Sequence, residues 1–412
     1  MVNIIVSSIF KNPNSHPMKY LSILCALFLF SCQKSIDKIA QPPVVNGEKE
    51  TCSFGISEFN MTKRPPVNND AARRRTTITT PPPTTPTTPT TPTAPATPKN
   101  VILLDFNGHV VANTSWNVNG NINCAPANLT EADQAIVFQR ITTDYSPFNV
   151  LITTDETVYN NANPFTRVRL IITESWEWYG QAGGVAFLNS FKWGDNTPCF
   201  VFSSLLGYSV KKISEAGSHE IGHTLGLRHQ SAYNSSGVKT SEYNSGQGTG
   251  EIGWAPIMGV SYNQNLSLWH NGPSSVSSTS IQNDISIISG VVGQVTDDYS
   301  NTTASAASLS TSLQGLMNSS TDVDFFSINI TGTKSITAIP KNVGINNEGG
   351  NLDLIMNVYN SQGVLISTVN DPNILSTSTV LQPGSYFVSV SSTDNSNALK
   401  YGMLSRYSIN LN

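Results

Sequence analysis

The stretch His219-Glu220-Ile221-Gly222-His223-Thr224-Leu225-Gly226-Leu227-Arg228-His229 decides how the middle of this chain folds and what it can bind. Two histidines four residues apart lie on one face of a helix, so His219 and His223 can grip a single metal ion. Glu220 sits beside that metal but is free to handle a proton. Once the chain has turned away from the helix, His229 can return as a third nitrogen ligand.

This set of ligands is typical of a zinc site with one open position. Three neutral imidazoles suit zinc and leave room for a water molecule, whose pKa zinc lowers to about 7. Gly226 supplies the turn that brings the third imidazole back. The other interpretation of the same pattern is a surface helix with solvated histidines.

A family resemblance follows from the motif together with a later methionine. The pattern His-Glu-x-x-His-x-x-Gly-x-x-His, followed by Trp254-Ala255-Pro256-Ile257-Met258-Gly259, resembles the metzincin zinc endopeptidases. The resemblance implies one catalytic zinc on the three histidines, Glu220 as the general base, and Met258 as a hydrophobic floor beneath the metal.

Two further positions near the motif bear on the metal site: Tyr262 and the residue that would orient His229. Tyr262, four residues after the methionine, is a candidate contact to zinc or to the transition state, and packing in the core is the alternative. Arginine and glutamine flank His229 where many family members carry an acid, so the partner that orients this histidine stays unidentified.

The segments around the motif predict an α+β domain. Apolar runs predict strands at 101–106, 150–154, 168–173, 183–188 and 199–202. A helix is expected from the N-cap Thr130 to Tyr145, the motif helix from near Ser214, and a short closing helix from Ile281 to Ile288. This order is similar to the upper subdomain of metzincins, so the resemblance covers residues 99–296 and implies a mixed five-stranded sheet with an active-site helix.

The same resemblance suggests where a peptide substrate binds. The strand before the last would be the edge of the sheet, which makes Gly184, Val185, Ala186 and Phe187 a candidate substrate edge. A peptide can add to such an edge as a further strand through backbone hydrogen bonds. An ordinary central strand is the alternative.

The chain changes character at about residue 297. Residues 297–412 are rich in Ser, Thr and Asn, and short alternating strands predict an all-β sandwich domain. Its motifs resemble the C-terminal domain that follows the peptidase in many secreted bacterial proteases. Asp322, Asp324 and Asp353 are candidate calcium ligands, although carboxylates at turns and strand ends are the alternative explanation.

The first 98 residues predict export rather than a fold. The apolar run 21–30 has the length of a signal-peptide core, and Leu29-Phe30-Ser31-Cys32 resembles a bacterial lipobox, which implies lipid attachment at Cys32 after cleavage. An ordinary secretory signal is the alternative. Residues 33–98 are expected to form a disordered arm and a stalk that is almost wholly Thr, Pro and Ala from Thr76 to Pro98.

Cysteines leave two questions open. Cys124 and Cys199 either form a disulfide or stay as two buried thiols. Cys52 in the arm could in principle cap the zinc before activation, as cysteine switches do in some metzincins, although its surroundings give little support.

The charge distribution and the domain layout restrict the classes of function that the sequence supports. Residues 1–99 carry a net charge of +6 and the remainder −10, so the folded part lacks the basic footprint of a nucleic-acid-binding protein. The sequence therefore predicts a zinc-dependent endopeptidase, monomeric, exported from a bacterial cell and anchored to its envelope, that acts on protein or peptide. The alternatives are a surface-anchored binding protein that uses the C-terminal sandwich, and a zinc hydrolase of non-peptide amides.

Overall fold

A mixed β-sheet backed by two helices supports the histidine motif. The structure, a computed structural model, describes residues 49–52, 100–341 and 350–412. The predicted signal segment, the lipobox at Cys32, most of the arm and the Thr/Pro stalk lie outside the described residues. The described residues all belong to one compact unit.

The strands before residue 297 are mostly short. They are β1 (Lys49–Cys52), β2 (Val101–Asp105), β3 (His109–Val111), β4 (Ile122–Cys124), β5 (Leu151–Thr153), β6 (Arg167–Thr173), β7 (Gly184–Phe187), β8 (Cys199–Phe202), β9 (Ala232–Tyr233), β10 (Lys239–Ser241), β11 (Trp254–Pro256), β12 (Leu266–Leu268), β13 (Asn271–Pro273) and β14 (Ile281–Asn283).

Four α-helices lie within the described residues: α1 (Glu131–Asp144), α2 (Glu156–Asn161), α3 (Val210–Thr224) and α4 (Asp284–Val292). Helix α1 has the predicted N-cap: Thr130 and Asp133 form a reciprocal capping box. Over the described part of the chain, no helix is long and apolar enough to cross a membrane.

Two helix boundaries differ from the prediction. Helix α3 begins at Val210 rather than near Ser214, because Ser209 caps it by accepting a hydrogen bond from the backbone N–H of Lys212. The closing helix begins at Asp284, since residues 281–283 form β14 and Asn283 provides the N-cap.

Six strands form the main sheet, in the order β1-β7-β8-β6-β2-β5. The five strands from Val101 to Phe202 are mixed, as predicted: β5, β2, β6 and β8 run parallel, and β7 is antiparallel to β8. The sixth strand, β1, pairs with the outer side of β7. It belongs to the arm expected to be disordered, so that expectation is wrong at residues 49–52.

One face of this sheet packs against α1 and α3. The shared core contains Val137 and Ile141 from α1, Ile213 and Ile221 from α3, and Leu170 from β6. Burying such side chains is the main source of stabilisation that holds the motif helix against the sheet.

No disulfide joins the two cysteines of this part of the chain. Cys124 in β4 and Cys199 in β8 are both free thiols and both buried. Burial raises the pKa of the Cys124 thiol to about 12, so it stays protonated and unreactive at neutral pH. Of the two readings left open by the sequence, the structure favours separate buried thiols.

The C-terminal part is β-rich. Its strands are β15 (Ala307–Ser308), β16 (Ser312–Leu316), β17 (Val323–Ile330), β18 (Lys334–Pro340), β19 (Leu354–Asn360), β20 (Leu365–Val369), β21 (Thr377–Leu381), β22 (Gly384–Ser392) and β23 (Arg406–Leu411). They form a five-stranded sheet, β15-β17-β22-β19-β20, and a four-stranded sheet, β16-β23-β18-β21. Phe326 and Ile328 from one sheet share a core with Ile336 and Ile409 from the other, as a sandwich requires.

Contacts join this β-rich part to the motif-bearing part. Leu266 and Leu268 of β12 belong to the β-rich core. The buried Asn351 donates hydrogen bonds to Asp144 Oδ1 at 2.8 Å and to the Ser267 carbonyl oxygen at 2.6 Å. The division into domains 99–296 and 297–412 remains a prediction, since the two cores meet in this way.

The Asn351 contact predicts that the β-rich part and the motif-bearing part stabilise each other. Replacing Asn351 with Ala leaves a buried carboxylate without this donor, which should lower the free energy of unfolding by about 2 kcal/mol. Thermal or denaturant unfolding measures the loss, with the exposed Asn373→Ala as the matched control. Equal stability of the two variants would contradict the coupling.

Candidate metal centre

The histidines reach one point because of the way helix α3 ends. His219 and His223 lie in its last two turns, and Leu225 is the C-cap. Gly226 then takes φ = +106°, a left-handed conformation that glycine adopts readily. The backbone N–H of Leu227 bonds back to the Gly222 carbonyl oxygen at 3.0 Å, so the chain reverses and brings up His229. The predicted turn at Gly226 is thus present.

Three imidazoles converge in a buried position. One ring nitrogen of each of His219, His223 and His229 lies within 4.8 Å of the others. Their ring centroids are 4.6 to 5.2 Å apart, and all three side chains are buried. The alternative of solvated histidines on a surface helix does not fit this burial.

Each imidazole is oriented through its Nδ1 atom. Nδ1 of His219 faces the Ile257 carbonyl oxygen at 2.8 Å, and Nδ1 of His223 faces the Leu227 carbonyl oxygen at 2.6 Å. Because a carbonyl oxygen can only accept, both Nδ1 atoms carry the proton and both Nε2 atoms present a lone pair. Burial lowers the pKa of His219 to about 3 and that of His223 well below its usual value, so both rings are neutral at pH 7.

The donor set fits a metal ion. The Nε2 atoms of His219 and His223 are buried and have no hydrogen-bond partner among residues 49–52, 100–341 and 350–412. Buried polar atoms are nearly always satisfied, so unsatisfied lone pairs that face one another call for a bound group. Three imidazole nitrogens and a tetrahedral preference match zinc.

Glu242 is the residue that the sequence did not reveal. Its Oε1 accepts a hydrogen bond from Nδ1 of His229 at 2.9 Å, and its Oε2 contacts Lys239 Nζ at 2.7 Å. The hydrogen bond from His229 is the largest cause that lowers the pKa of Glu242 to about 2, and Lys239 adds to it. A carboxylate behind a ligating histidine fixes its tautomer and orientation. No spacing rule marks Glu242, because it lies within a long Ser/Asn/Gly-rich loop.

Glu220 directly follows His219 in α3 but is not one of the converging ligands. Its side chain is fully buried. Gly184, at the start of β7, lies very close to the Glu220 side chain. A Cβ atom added at Gly184 would lie 2.7 Å from both Cγ and Oε1 of Glu220. Only glycine at position 184 therefore lets the carboxylate occupy this place beneath the edge strand.

Met258 packs against the helix that carries two of the histidines, and its role as a floor beneath a metal ion stays a prediction. It is fully buried, and a Cβ added at Gly222 of α3 would come within 2.6 Å of its Sδ atom. The thioether therefore packs directly against the helix between the two helical histidines. The preceding residue, Ile257, supplies the carbonyl oxygen that orients His219.

Two tyrosines are relevant to the site. Tyr262 is buried in the core near Ile257 and His219, around a space too small to hold a water molecule. Tyr243, which the sequence did not single out, packs its ring 4.6 Å from the His229 ring, centroid to centroid. Tyr243 is thus the aromatic neighbour of the third histidine, while the role of Tyr262 stays a prediction.

A second group of possible ligands occurs in the β-rich part. Carboxylate oxygens of Asp297, Asp322 and Asp324 lie within 4.8 Å of one another. Asp353, which the sequence grouped with the last two, is not in this cluster and instead accepts a hydrogen bond from Asn395 Nδ2 at 2.8 Å. Within the described residues, Oδ1 of Asp322 and Oδ1 of Asp324 are buried and lack a hydrogen-bond partner.

A comparison with known protein families supports the interpretation of the histidine motif as that of a metallopeptidase. Residues 172–261, about a fifth of the chain, match the family model described as metallo-peptidase family M12B, reprolysin-like. This segment contains the three histidines, Glu220 and Met258, so the resemblance to metzincin-type zinc metallopeptidases is confirmed. The family implies a divalent metal ion, typically zinc. No curated protein sequence gave a significant match.

Similarities to solved structures are low. The pre-peptidase C-terminal domain of collagenase from Bacillus anthracis has 13% identity and a TM-score of 0.19, covering 26% of this chain and 92% of that one. PliG from Aeromonas hydrophila, a periplasmic inhibitor of g-type lysozyme, has 13% identity and a TM-score of 0.18, covering 26% and 96%. A secreted protein from Eubacterium rectale has 10% identity and a TM-score of 0.19, covering 27% and 40%. Scores this low assign neither fold nor function.

The Glu242 contact generates a prediction about metal affinity. Replacing Glu242 with Gln removes the charge that fixes His229, so zinc should bind about 10- to 100-fold more weakly. A competition titration against a chromophoric chelator measures this change, with Glu131→Gln at the exposed start of α1 as the matched control. If the two variants held zinc equally well, Glu242 would have no part in orienting the ligand.

Proposed function

We propose that this protein is a zinc-dependent endopeptidase. The observation that carries the proposal is the buried convergence of His219, His223 and His229 beside the buried Glu220, within a segment that matches a metallopeptidase family. A bound zinc ion would polarise a water molecule and the scissile carbonyl group.

The chain's own residues would perform the proton transfers. Glu220 would take a proton from the attacking water and deliver it to the leaving amine, since it lies beside the ligands without being one of them. Its burial against Gly184 removes competing solvent and restricts its rotamers. Tyr262 is proposed as a further contact to zinc or the transition state because of its position four residues after Met258.

The substrate would bind along the outer side of β7. Gly184, Val185, Ala186 and Phe187 form the edge of the strands between residues 101 and 202. Because Gly184 touches Glu220, a peptide paired with this edge would cross directly above the general base. Backbone pairing needs no particular side chain, which favours protein and peptide substrates over other amides.

The remaining parts of the proposal rest on sequence. Export and attachment to the envelope rest on the apolar run and lipobox ending at Cys32, and the expectation of no nucleic-acid partner rests on the acidic folded part. A monomer is proposed without a supporting contact. The alternative, a binding protein that uses the β-rich part, predicts binding that is lost when residues 300–412 are deleted. The family match does not favour it.

We also propose that calcium binds to the cluster of carboxylates in the β-rich part. The ligands differ from those that the sequence suggested. Asp297, Asp322 and Asp324 replace the set that the sequence suggested, and two of their oxygens are buried without a partner in the described residues. Hard oxygen ligands suit Ca²⁺. Burial and the neighbouring aspartates raise the pKa of Asp324 to about 8, although Tyr407 donates a hydrogen bond to its Oδ2, and a bound cation would offset this cost.

Glu220 provides the test of the peptidase proposal. Glu220→Gln should cleave an unfolded protein about 100- to 10,000-fold more slowly, because it removes the general base. The variant should still hold one zinc ion per chain, measured by atomic emission, and Glu131→Gln should match the wild type. Wild-type turnover by Glu220→Gln would show that the proposed mechanism is wrong. Loss of zinc would show that Glu220 is a ligand or a structural residue.

Thermal unfolding in Ca²⁺ tests the second site. With a dissociation constant of about 1 mM, 10 mM Ca²⁺ should stabilise the fold by about 1.4 kcal/mol. Asp322→Asn should abolish this response, whereas Asp353→Asn, a buried aspartate outside the cluster, should retain it. Mg²⁺ at equal concentration controls for ionic strength. An unchanged response in Asp322→Asn would place calcium elsewhere.

A further inference from the structure

A pocket of about 360 Å³ lies where the motif-bearing part meets the β-rich part. The motif-bearing part contributes Trp254, Leu268 and His270 to its lining, and the loop between β22 and β23 contributes Asn397 and Tyr401. We call it the junction pocket. Its volume is in the range that holds small ligands, so its chemistry indicates which class of ligand it can take.

Hydrogen bonds hold the loop of the β-rich part in place at the junction pocket. Within this loop, Asn395 Oδ1 accepts a hydrogen bond from the backbone N–H of Asn397 at 2.9 Å. The Asn397 carbonyl oxygen accepts a hydrogen bond from Nε2 of Gln247, in the motif-bearing part, at 2.7 Å. The Tyr401 hydroxyl group donates to Oδ1 of Asn283. These contacts preform the pocket, which reduces the ordering cost of binding a ligand.

The lining of the junction pocket is partly aromatic and carries no formal charge. The rings of Trp254 and His270 lie 5.0 Å apart, centroid to centroid, at an angle of 57°. Burial lowers the pKa of His270 to about 4, so its imidazole is neutral at pH 7. Among the described residues, no Asp, Glu, Lys or Arg lines the pocket. A phosphate, carboxylate or ammonium group would find no countercharge there, which favours an uncharged ligand.

Two polar side chains of the pocket are available to such a ligand. Asn271 is exposed, and within the described ranges its side-chain amide makes no hydrogen bond. The same holds for both ring nitrogens of His270, whose ring fits because residue 272 is glycine: a Cβ there would lie 2.3 Å from Nε2. An amide group and a neutral imidazole each offer both a donor and an acceptor.

This combination matches the chemistry of a neutral sugar. A pyranose ring presents C–H groups on its faces, which pack against aromatic rings, and hydroxyl groups around its rim, which both donate and accept hydrogen bonds. A compact pocket suits a ring-shaped unit better than an extended peptide, which needs a groove several residues long.

We propose that the junction pocket binds a neutral hexose or N-acetylhexosamine unit of a glycan. The sugar ring packs against the aromatic lining, and Asn271 and His270 bond to its hydroxyl groups. A single sugar should bind with a dissociation constant on the order of 1 mM, because a ligand of this size makes few contacts. This binding does not depend on the proposed peptidase function, since neither Glu220 nor the three converging histidines line the pocket.

Saturation-transfer NMR titrations of the full chain test the proposal. The probes are glucose, galactose, mannose, N-acetylglucosamine and N-acetylgalactosamine, and at least one of them should bind. Asn271→Ala should weaken that binding about fivefold, as the loss of one hydrogen bond predicts. His270→Ala should weaken it about tenfold, because it removes a hydrogen bond and an aromatic surface. Asn373→Ala, an exposed asparagine outside the pocket, should leave the affinity unchanged.

Three results would overturn the proposal. The first is that none of the five sugars binds. The second is a sugar that binds with equal affinity to the wild type and to Asn271→Ala and His270→Ala, because it would lie elsewhere. Asn271 is exposed, so its variant should keep the fold even if His270→Ala does not. The third is a Thr-Pro repeat peptide that binds more tightly than every sugar and weakens in Asn271→Ala, which would assign the pocket to peptides.

The Glu220→Gln variant separates this site from the metal centre. Its affinity for the sugar should equal that of the wild type, whether or not the wild type cleaves proteins. A sugar affinity that falls in Glu220→Gln would place the sugar at the metal centre and overturn the assignment to the junction pocket. Sugar binding without any peptidase activity in the wild type would support this proposal and contradict the peptidase.

Discussion

Three buried imidazoles, each with its Nδ1 atom bonded and with one ring nitrogen close to those of the other two, determine the arrangement of the surrounding structure. Burial keeps His219 and His223 uncharged, and backbone carbonyl groups fix their protonated Nδ1 atoms. Within the described part of the chain, Nε2 of His219 and Nε2 of His223 have no hydrogen-bond partner, so binding of a metal ion would also stabilise the fold. The turn at Gly226, the methionine segment and the loop carrying Glu242 all supply contacts that this arrangement needs.

Glycine residues allow the elements around the site to approach closely. Gly184 leaves room for the carboxylate of Glu220 next to β7, and Gly222 leaves room for the sulfur of Met258 next to α3. Gly217 does the same between the two main helices, where a Cβ would lie 2.7 Å from Ile141 Cδ1. A side chain at any of these positions would displace Glu220, Met258 or the packing of α1 against α3, because close-packed interiors have little free volume.

The β-rich part is connected to the active-site helix through a short chain of buried polar contacts. Asn351 donates to Asp144, and the hydroxyl group of Ser218 also donates to Asp144. Ser218 directly precedes His219, and its carbonyl oxygen accepts a hydrogen bond from Tyr145. Buried polar groups of this kind are costly to leave unpaired. The C-terminal part therefore contributes to the rigidity of the end of α1 and of the middle of α3, besides any role of its own.

The sequence by itself determined the ligand histidines, the neighbouring acid, the glycine turn, the methionine and the order of strands and helices, because these depend on local spacing and periodicity. It missed the start of α3, where the Ser209 cap overrides the apolar pattern. Only the tertiary structure decided that Glu242 bonds to His229, that Asp297 rather than Asp353 joins the acidic cluster, and that Lys49–Cys52 pairs with β7. Each of these pairs residues that the chain brings together through loops or over long sequence separations, and no local pattern encodes such contacts.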